Sequence, residues 1–135
     1  MTDDDCKAKI LEFITALITD MDKAETMMAD GFVWENFLPE NVPFGGTYEG
    51  IEGMKAYFGE LAANWEIGGL DIPEVIVSAD GRRFAAIGVE QNGKALSTGK
   101  SCNMPFVWIF KTDEAGKFSY VREYNDTHVI GQTFV

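Results

Sequence analysis

The sequence predicts an α+β fold in which N-terminal helices cover one face of a curved antiparallel sheet. Apolar residues recur at helical spacing in the first half of the chain, and alternating strands joined by turn signals make up the second half. The apolar stripe of each helix is one-sided, so the helices are expected to pack on one face of the sheet. The 135 residues correspond to a single domain over 1–135, long enough to bury a core without disulfides.

The helices are predicted from the spacing of apolar residues. The first covers 7–21, after three aspartates at 3–5 that suit a helix N-terminus. Its apolar stripe consists of Ile10, Phe13, Ile14, Leu17, Ile18 and Met21. A short second helix is expected to begin at Asp22 and to end at Gly31, and a third covers about 51–64.

The strands are predicted from alternation and from turn residues. Phe32–Phe37 forms the first strand, and the Pro- and Gly-rich stretch 38–50 forms a loop. The later strands are Leu70–Ser78, Arg83–Gln91, 95–111 and Lys117–Asn125. The turn signals between them are Asp80-Gly81, Asn92-Gly93 and Asp113–Gly116. A short helix over Thr127–Gln132, capped by Asp126, is expected to end the chain.

Charge and composition exclude several classes of partner. Eleven basic and 22 acidic residues give a net charge of −11, which repels nucleic acid and anionic membranes. No apolar run reaches the roughly 18 residues of a membrane span. The start of the chain is acidic where a signal peptide would be basic, so we expect a soluble, cytoplasmic protein with Cys6 and Cys102 as free thiols.

The sequence contains none of the common cofactor or nucleophile motifs. The phosphate-binding glycine loops and the G-x-S-x-G motif are absent. His128 is the only histidine, and with two distant cysteines it cannot form a typical zinc site. The prediction is therefore that the protein uses neither a metal nor a cofactor.

Polar side chains at apolar strand faces are the candidates for chemistry. Glu90, Glu123 and Asn36 each share a strand face with apolar residues. If these faces line the inside of the sheet, two carboxyl groups and an amide converge in an apolar cavity. Burial there would raise a carboxyl pKa and suit it to acid–base catalysis. The alternative is that both glutamates face solvent, where glutamate usually lies.

Short stretches along most of the chain carry a family resemblance. They are Trp34–Asn36, Tyr48–Met54, Leu96–Asn103, Gly116-Lys117 and Arg122–Asp126. They resemble the SnoaL-like and ketosteroid-isomerase-like group of the nuclear-transport-factor-2-like superfamily, and locally limonene-1,2-epoxide hydrolases. The resemblance implies a cone-shaped fold around an apolar cavity. That superfamily includes both cofactor-free enzymes and non-catalytic binding modules.

The resemblance to epoxide hydrolases implies specific roles. Trp34 takes the position of a water-holding tyrosine, and Asn36 that of a water-holding asparagine. Glu123 takes the position of the water-activating aspartate, and Glu90 falls near the second aspartate. Gly88 falls near the arginine of that family, and the indole of Trp34 can only donate a hydrogen bond. We therefore expect no efficient opening of epoxides.

The predicted catalytic residues are Glu123, Glu90 and Asn36. The predicted substrate-binding residues, which could instead be core, are Trp34, Phe13, Leu17, Tyr57, Phe58, Met104, Phe106, Trp108, Val121 and Asn125. Asp126 and His128 remain open as further cavity residues. The predicted function is cofactor-free isomerisation, cyclisation or hydrolysis of a small apolar ring compound of polyketide, steroid or terpenoid type. The alternative is a non-catalytic module that binds a ligand or a protein.

The longest strand also predicts self-association. Met104, Phe106, Trp108 and Phe110 alternate with Pro105, Val107, Ile109 and Lys111. Both faces are therefore substantially apolar, which is unusual for a sheet with one face in water. The prediction is a homodimer formed through the outer face of the sheet, with Val107 and Ile109 buried.

Overall fold

The computed structural model describes residues 2–135 and has the predicted α+β architecture. The helices are α1 (Asp3–Thr19), α2 (Met21–Thr26), α3 (Gly50–Asn64) and α4 (Thr127–Thr133). The strands are β1 (Met28–Asn36), β2 (Thr47–Glu49), β3 (Trp65–Glu66), β4 (Gly69–Val77), β5 (Arg83–Ala95), β6 (Ser101–Thr112) and β7 (Phe118–Asn125). They form one sheet in the order β2-β1-β7-β6-β5-β3, with β4 also paired to β5. The sheet curls around the helices as a cone.

One pair of strands departs from the predicted antiparallel sheet. β1 lies parallel to β7, with Trp34 opposite Val121 and Asn36 opposite Glu123. Strands joined by a hairpin must be antiparallel, but these two are separated by most of the chain and escape that constraint. This pairing brings the first strand beside the last one, where the candidate residues lie.

Helix α1 begins at Asp3, earlier than the spacing of its apolar residues indicates. The Thr2 hydroxyl accepts from the Asp5 backbone N–H at 3.1 Å, and the Asp5 carboxylate accepts from the Thr2 N–H at 2.8 Å. This capping box satisfies amides that would otherwise lack partners. The helix ends at Thr19 because Asp20 caps α2 by accepting from the N–H of Lys23.

The predicted end of the second helix at Gly31 is wrong. Helix α2 ends at Thr26, and Gly31 lies inside β1 with a φ of 75°. The pairing of β1 with β7 shifts between Met28 and Val33, which brackets this glycine. A positive φ is accessible to glycine at little cost, so the residue accommodates an irregularity in the strand and does not terminate a helix.

The predicted turn at Asn92-Gly93 is also wrong. Strand β5 continues to Ala95, and its pairing with β6 shifts between Glu90 and Gly93, as at a β-bulge. A Cβ at Gly93 would lie 2.4 Å from Glu90 Oε2 and 2.4 Å from the Trp65 ring. The glycine is therefore required by packing, and the chain reverses after Ala95 instead.

The core lies between the helices and the inner face of the sheet. Its largest fully buried side chains include Phe13, Phe32, Phe84, Phe110 and Phe118. On β6 the predicted alternation holds, with Met104, Phe106, Trp108 and Phe110 buried. Val107 and Ile109 are half-buried on the opposite face of this strand. The predicted C-terminal helix is confirmed, because the Asp126 carboxylate accepts from the N–H of Val129 at the start of α4.

Candidate functional site

A narrow apolar cavity lies between α1, α3 and the inner face of the sheet. The volume of this cavity is about 60 Å³. The predicted residues that line it are Leu17, Trp34, Tyr57, Phe58, Met104, Trp108, Glu123 and Asn125. Ile18 and Ile67 also line it and are 48% and 39% exposed, which places them at its mouth. The described lining residues include no Lys, Arg or His.

Among residues 2–135, Glu123 is the only one that places a carboxyl group on the wall of this cavity. Strand β7 directs it inward beside Val121, and its side chain is 5% exposed. Its Oε1 accepts from Trp34 Nε1 at 2.7 Å and from the Tyr57 hydroxyl at 3.2 Å. Its Oε2 accepts from Asn125 Nδ2 at 3.0 Å. Elements far apart in sequence thus hold one carboxyl group.

Two opposing effects act on the proton affinity of this carboxyl group. Burial raises the pKa of Glu123 above the ordinary glutamate value, because the charged form loses its hydration. The hydrogen bonds from Asn125, Trp34 and Tyr57 oppose this by stabilising the carboxylate, and the charge of Glu90 adds to the increase. Burial also raises the pKa of Tyr57 well above 10, so its hydroxyl keeps its proton at neutral pH.

Glu90 is inward, as one of the two alternatives predicted, but it lies outside the cavity. It is 7% exposed, and its Oε2 accepts from Trp65 Nε1 at 2.8 Å and from the Gly68 N–H at 3.1 Å. Neither of these N–H groups can accept a hydrogen bond. Glu90 therefore links β3 and the following segment to the bulge of β5. The expectation that it meets Glu123 in one cavity is wrong.

Asn36 is buried and opposite Glu123, but its amide does not line the cavity. Its Oδ1 accepts from the Gly46 N–H at 3.0 Å, and its Nδ2 donates to the Phe44 carbonyl at 3.3 Å. The loop before β2 thus uses the hydrogen-bonding groups that the prediction reserved for a substrate. Asn36 shapes the loop that contributes Phe44 to the cavity wall.

Three predicted substrate-binding residues belong to the core instead of the cavity wall. Phe13 stacks on Phe118 with ring centroids 4.4 Å apart. Phe106 stacks on Trp108 with ring centroids 3.9 Å apart, and Val121 is fully buried. Asp126 serves as the cap of α4, and His128 is exposed beyond it. Neither of these two lines the cavity.

Gly88 leaves no room for the arginine of epoxide hydrolases. A Cβ at this position would lie 2.2 Å from the Asp71 carbonyl oxygen and 2.9 Å from the Phe106 ring. The strand face that would carry the arginine is thus filled by backbone and by an aromatic ring.

Several wall residues were missed from the sequence. They are Ile14, Ile18, Leu38, Phe44, Leu61, Ile67, Leu70 and Ile130. The first two lie on the same helical stripe as Leu17, so the stripe itself was a usable signal. Leu61 lies on the stripe of α3 with Tyr57 and Phe58, and Leu70 lies in β4, so their elements were also usable signals. The remaining residues come from loops (Leu38, Phe44 and Ile67) and from α4 (Ile130), whose approach to the sheet no periodicity indicates.

Two further properties concern metals and membranes. Among residues 2–135, no group of three or more His, Cys, Asp or Glu side chains is placed to hold a metal ion. Within the same range, no helix has the length and apolar character needed to cross a bilayer.

Comparison with known proteins identifies the family. The SnoaL-like domain matches residues 10–121. The chain therefore belongs to the SnoaL-like family, whose fold is the cone predicted above. A search of the curated proteins returns no match.

Several solved structures are similar to this chain in fold. An NTF2-like protein from Burkholderia xenovorans is 20% identical with a TM-score of 0.80, over 100% of this chain and 99% of that one. A provisionally named isomerase from Bacillus subtilis is 21% identical, with a TM-score of 0.77, over 99% and 96%. A provisionally named SnoaL-like polyketide cyclase from Shewanella denitrificans is 15% identical, with a TM-score of 0.72, over 94% of each. At these identities the likeness concerns the fold.

Proposed function

We propose that the cavity binds a small, mainly apolar compound and that Glu123 exchanges a proton with it, without a cofactor. One observation carries this proposal: among the described lining residues a single carboxyl group lies on a mainly apolar wall, where burial raises its pKa. A carboxyl group whose two protonation states lie close in free energy can remove a proton and return it at another atom. Isomerisation, cyclisation and hydrolysis of a ring compound all require such transfers.

The lining supports a neutral ligand over an anionic one. No basic side chain among the described lining residues could pair with a negative charge, and Glu123 would repel it. Aromatic rings of Trp34, Tyr57 and Trp108 offer flat apolar contacts around the carboxyl group. A ring with one or two polar atoms fits this distribution, and the names of the isomerase and cyclase neighbours agree with it.

The size of the cavity sets a condition on this proposal. A volume of about 60 Å³ is well below the roughly 300–1,000 Å³ of typical small-molecule sites. A ring compound therefore requires the side chains at the mouth to move apart. Ile18 and Ile67 are the exposed side chains there, and their displacement would widen the opening without disturbing Glu123.

The experiment uses α-tetralone, a neutral bicyclic ketone with exchangeable C–H bonds beside its carbonyl, in D₂O. We expect the wild type to accelerate deuterium incorporation and Glu123→Gln to lose about 100-fold or more of that acceleration. Glu90→Gln is the matched control, because it alters a buried glutamate outside the cavity. Equal loss in both variants, with both folded, would contradict the role of Glu123.

A non-catalytic binding module is the second candidate, and one observation favours it. Three hydrogen bonds to Glu123 come from the protein itself, so three of the roughly four lone-pair sites of its carboxylate are occupied without any ligand. Binding of α-tetralone, measured by calorimetry, without deuterium exchange would support this candidate over the enzyme.

We further propose that a second copy of the chain covers the outer face of the sheet. Val107 and Ile109 lie there half-buried, opposite Ile87 and Ala85 of β5. Burial of apolar surface at about 25 cal/mol per Å² would favour association over screened repulsion between the acidic chains. In sedimentation equilibrium we expect a dimer that Val107→Asp dissociates.

Leu11→Asp is the control for this measurement, because Leu11 is exposed on α1, away from the sheet. A monomeric wild type at micromolar concentration would overturn the proposed dimer.

A further inference from the structure

Glu123 is one end of a chain of hydrogen bonds that begins at Trp108. The indole Nε1 of Trp108 donates to Asn125 Oδ1 at 3.3 Å, and Asn125 Nδ2 donates to Glu123 Oε2 at 3.0 Å. Trp108 is buried and Asn125 is half-buried, and all three residues line the cavity. The acid–base chemistry proposed above uses only the last member of this chain.

The indole determines which way the amide of Asn125 faces. An indole N–H can donate but not accept, so it requires the amide oxygen on its side. The amide nitrogen is then directed at Glu123. If the amide were reversed, two donors would meet at Trp108, and the amide oxygen would face the carboxyl group of Glu123.

The two oxygens of Glu123 are not equivalent. Oε1 accepts from Trp34 and from Tyr57, which occupies both of its lone pairs. From the part of the chain that the structure describes, Oε2 accepts from Asn125 alone, so the second lone pair of this oxygen is not used by those residues. A reversed Asn125 amide would accept a proton held on Oε2 and so retain it inside the protein.

We propose that Trp108 and Asn125 are positioning residues that keep Glu123 Oε2 as the oxygen that exchanges a proton with the ligand. Trp108 acts through Asn125, by preventing the amide oxygen from accepting the proton on Oε2. The bond that forms and breaks is O–H at Oε2, and the proton moves between this oxygen and the ligand. This inference rests on the proposed function, but its test requires no ligand.

Other titratable groups lie around Glu123 and affect how its titration must be measured. Tyr57 from α3 bonds to it directly, and Tyr48 from β2 and Glu90 from β5 interact with its charge. The strands β1 and β6 present the non-ionising Trp34 and Trp108. The titration of Glu123 therefore has to be assigned by its absence in Glu123→Gln.

The test is an NMR titration of the ¹³C-labelled carboxyl group of Glu123 in four proteins: the wild type, Trp108→Phe, Asn125→Leu and the double variant. Trp108→Phe frees the amide to stabilise the protonated form, and we expect the proton affinity of Glu123 to rise about threefold. Asn125→Leu removes a donor to the carboxylate, and we expect a rise of about tenfold. In the Asn125→Leu background, Trp108→Phe is expected to have no further effect.

Phe106→Leu is the matched control, because it disturbs the stacking partner of Trp108 without removing a hydrogen bond. It is expected to leave the titration of Glu123 unchanged. A Trp108→Phe effect that persists without Asn125, or the absence of any effect in the wild-type background, overturns the proposal.

A second measurement uses only the wild type, in case a variant fails to fold. The side-chain amide signals of Asn125 are expected to follow the titration of Glu123, while the indole N–H signal of Trp108 stays constant. Loss of the Trp108 hydrogen bond on protonation of Glu123 would show that the amide reverses, contrary to the proposal. A failure of ligand chemistry would leave both titrations as expected, so the two hypotheses fail separately.

Discussion

Glu123 and Glu90 each accept an indole N–H, from Trp34 at 2.7 Å and from Trp65 at 2.8 Å. Both are almost fully buried on the inner side of one sheet. They differ in what else surrounds them. Glu123 lies on a cavity wall and Glu90 does not, so only one of the two can meet a ligand without rearrangement.

The second partners of the two glutamates also differ. Glu90 bonds to a backbone N–H, which always donates, whereas Glu123 bonds to the hydroxyl of Tyr57, which can donate or accept. Both donors to Glu90 belong to groups that cannot accept a hydrogen bond, which suits a structural role for this side chain. Glu123 can take up a proton on Oε2 with its three hydrogen bonds preserved, because Asn125 occupies one lone pair of that oxygen and the other two donors bind Oε1. The comparison teaches that burial alone does not distinguish a structural carboxylate from a candidate acid.

The largest effect is expected from removing the structural carboxylate. Glu90→Ala removes the acceptor of the buried Trp65 indole N–H and of the half-buried Gly68 N–H, and we expect about 3 kcal/mol lower free energy of unfolding in urea. Glu90→Gln keeps an acceptor oxygen and is expected to recover much of that loss. Equal stability of Glu90→Ala and the wild type would contradict the structural role of Glu90.

The pH dependence of stability tests the raised pKa of Glu123. Because the pKa of Glu123 is raised in the folded state, its contribution to stability is complete below the unfolded value of about 4.3 and declines as pH rises through the folded pKa. The wild type should therefore lose stability relative to Glu123→Gln as pH increases from about 4. Urea titrations at several pH values measure this, and a difference that is independent of pH would contradict the raised pKa.

A smaller effect is expected from the two indoles. Trp34→Phe removes a donor to the carboxylate of Glu123 and should raise its pKa further, because the hydrogen bond favours the charged form. Trp65→Phe should lower stability but leave the titration of Glu123 in place. Carboxyl NMR of both variants measures the pKa of Glu123 in each. A change in this pKa in Trp65→Phe but not in Trp34→Phe would contradict the prediction.

We expect no measurable hydrolysis of limonene oxide by the wild type. The sequence resemblance to limonene-1,2-epoxide hydrolases implied a mechanism with two carboxyl groups and an arginine around the epoxide. Here Glu90 is outside the cavity, and Gly88 has no space for a side chain. Turnover should stay far below the roughly 1 per second of ordinary enzymes. Faster turnover, followed by chromatography of the diol, would show that the two glutamates act together.

Strand alternation placed Glu123 and Asn36 on apolar strand faces but left open whether Glu123 faces solvent; the family resemblance favoured the inward orientation. The register places the two residues opposite one another. It could not predict that the backbone of residues 44–46 binds the amide of Asn36, because loop conformation leaves no periodic signal. The Asn92-Gly93 pair has the composition of a turn, yet the chain uses the glycine to admit Trp65 and Glu90 at a bulge. Local composition predicted the elements, and contacts between distant segments decided the site.

The three tryptophans each donate the indole N–H to a polar side chain: Trp34 to Glu123, Trp65 to Glu90 and Trp108 to Asn125. Two of these acceptors line the cavity, so ultraviolet emission from this protein should respond to events there without any attached dye. Intrinsic fluorescence would then allow unlabelled compound libraries to be screened. The signal from Trp65, beside a carboxylate outside the cavity, provides an internal reference.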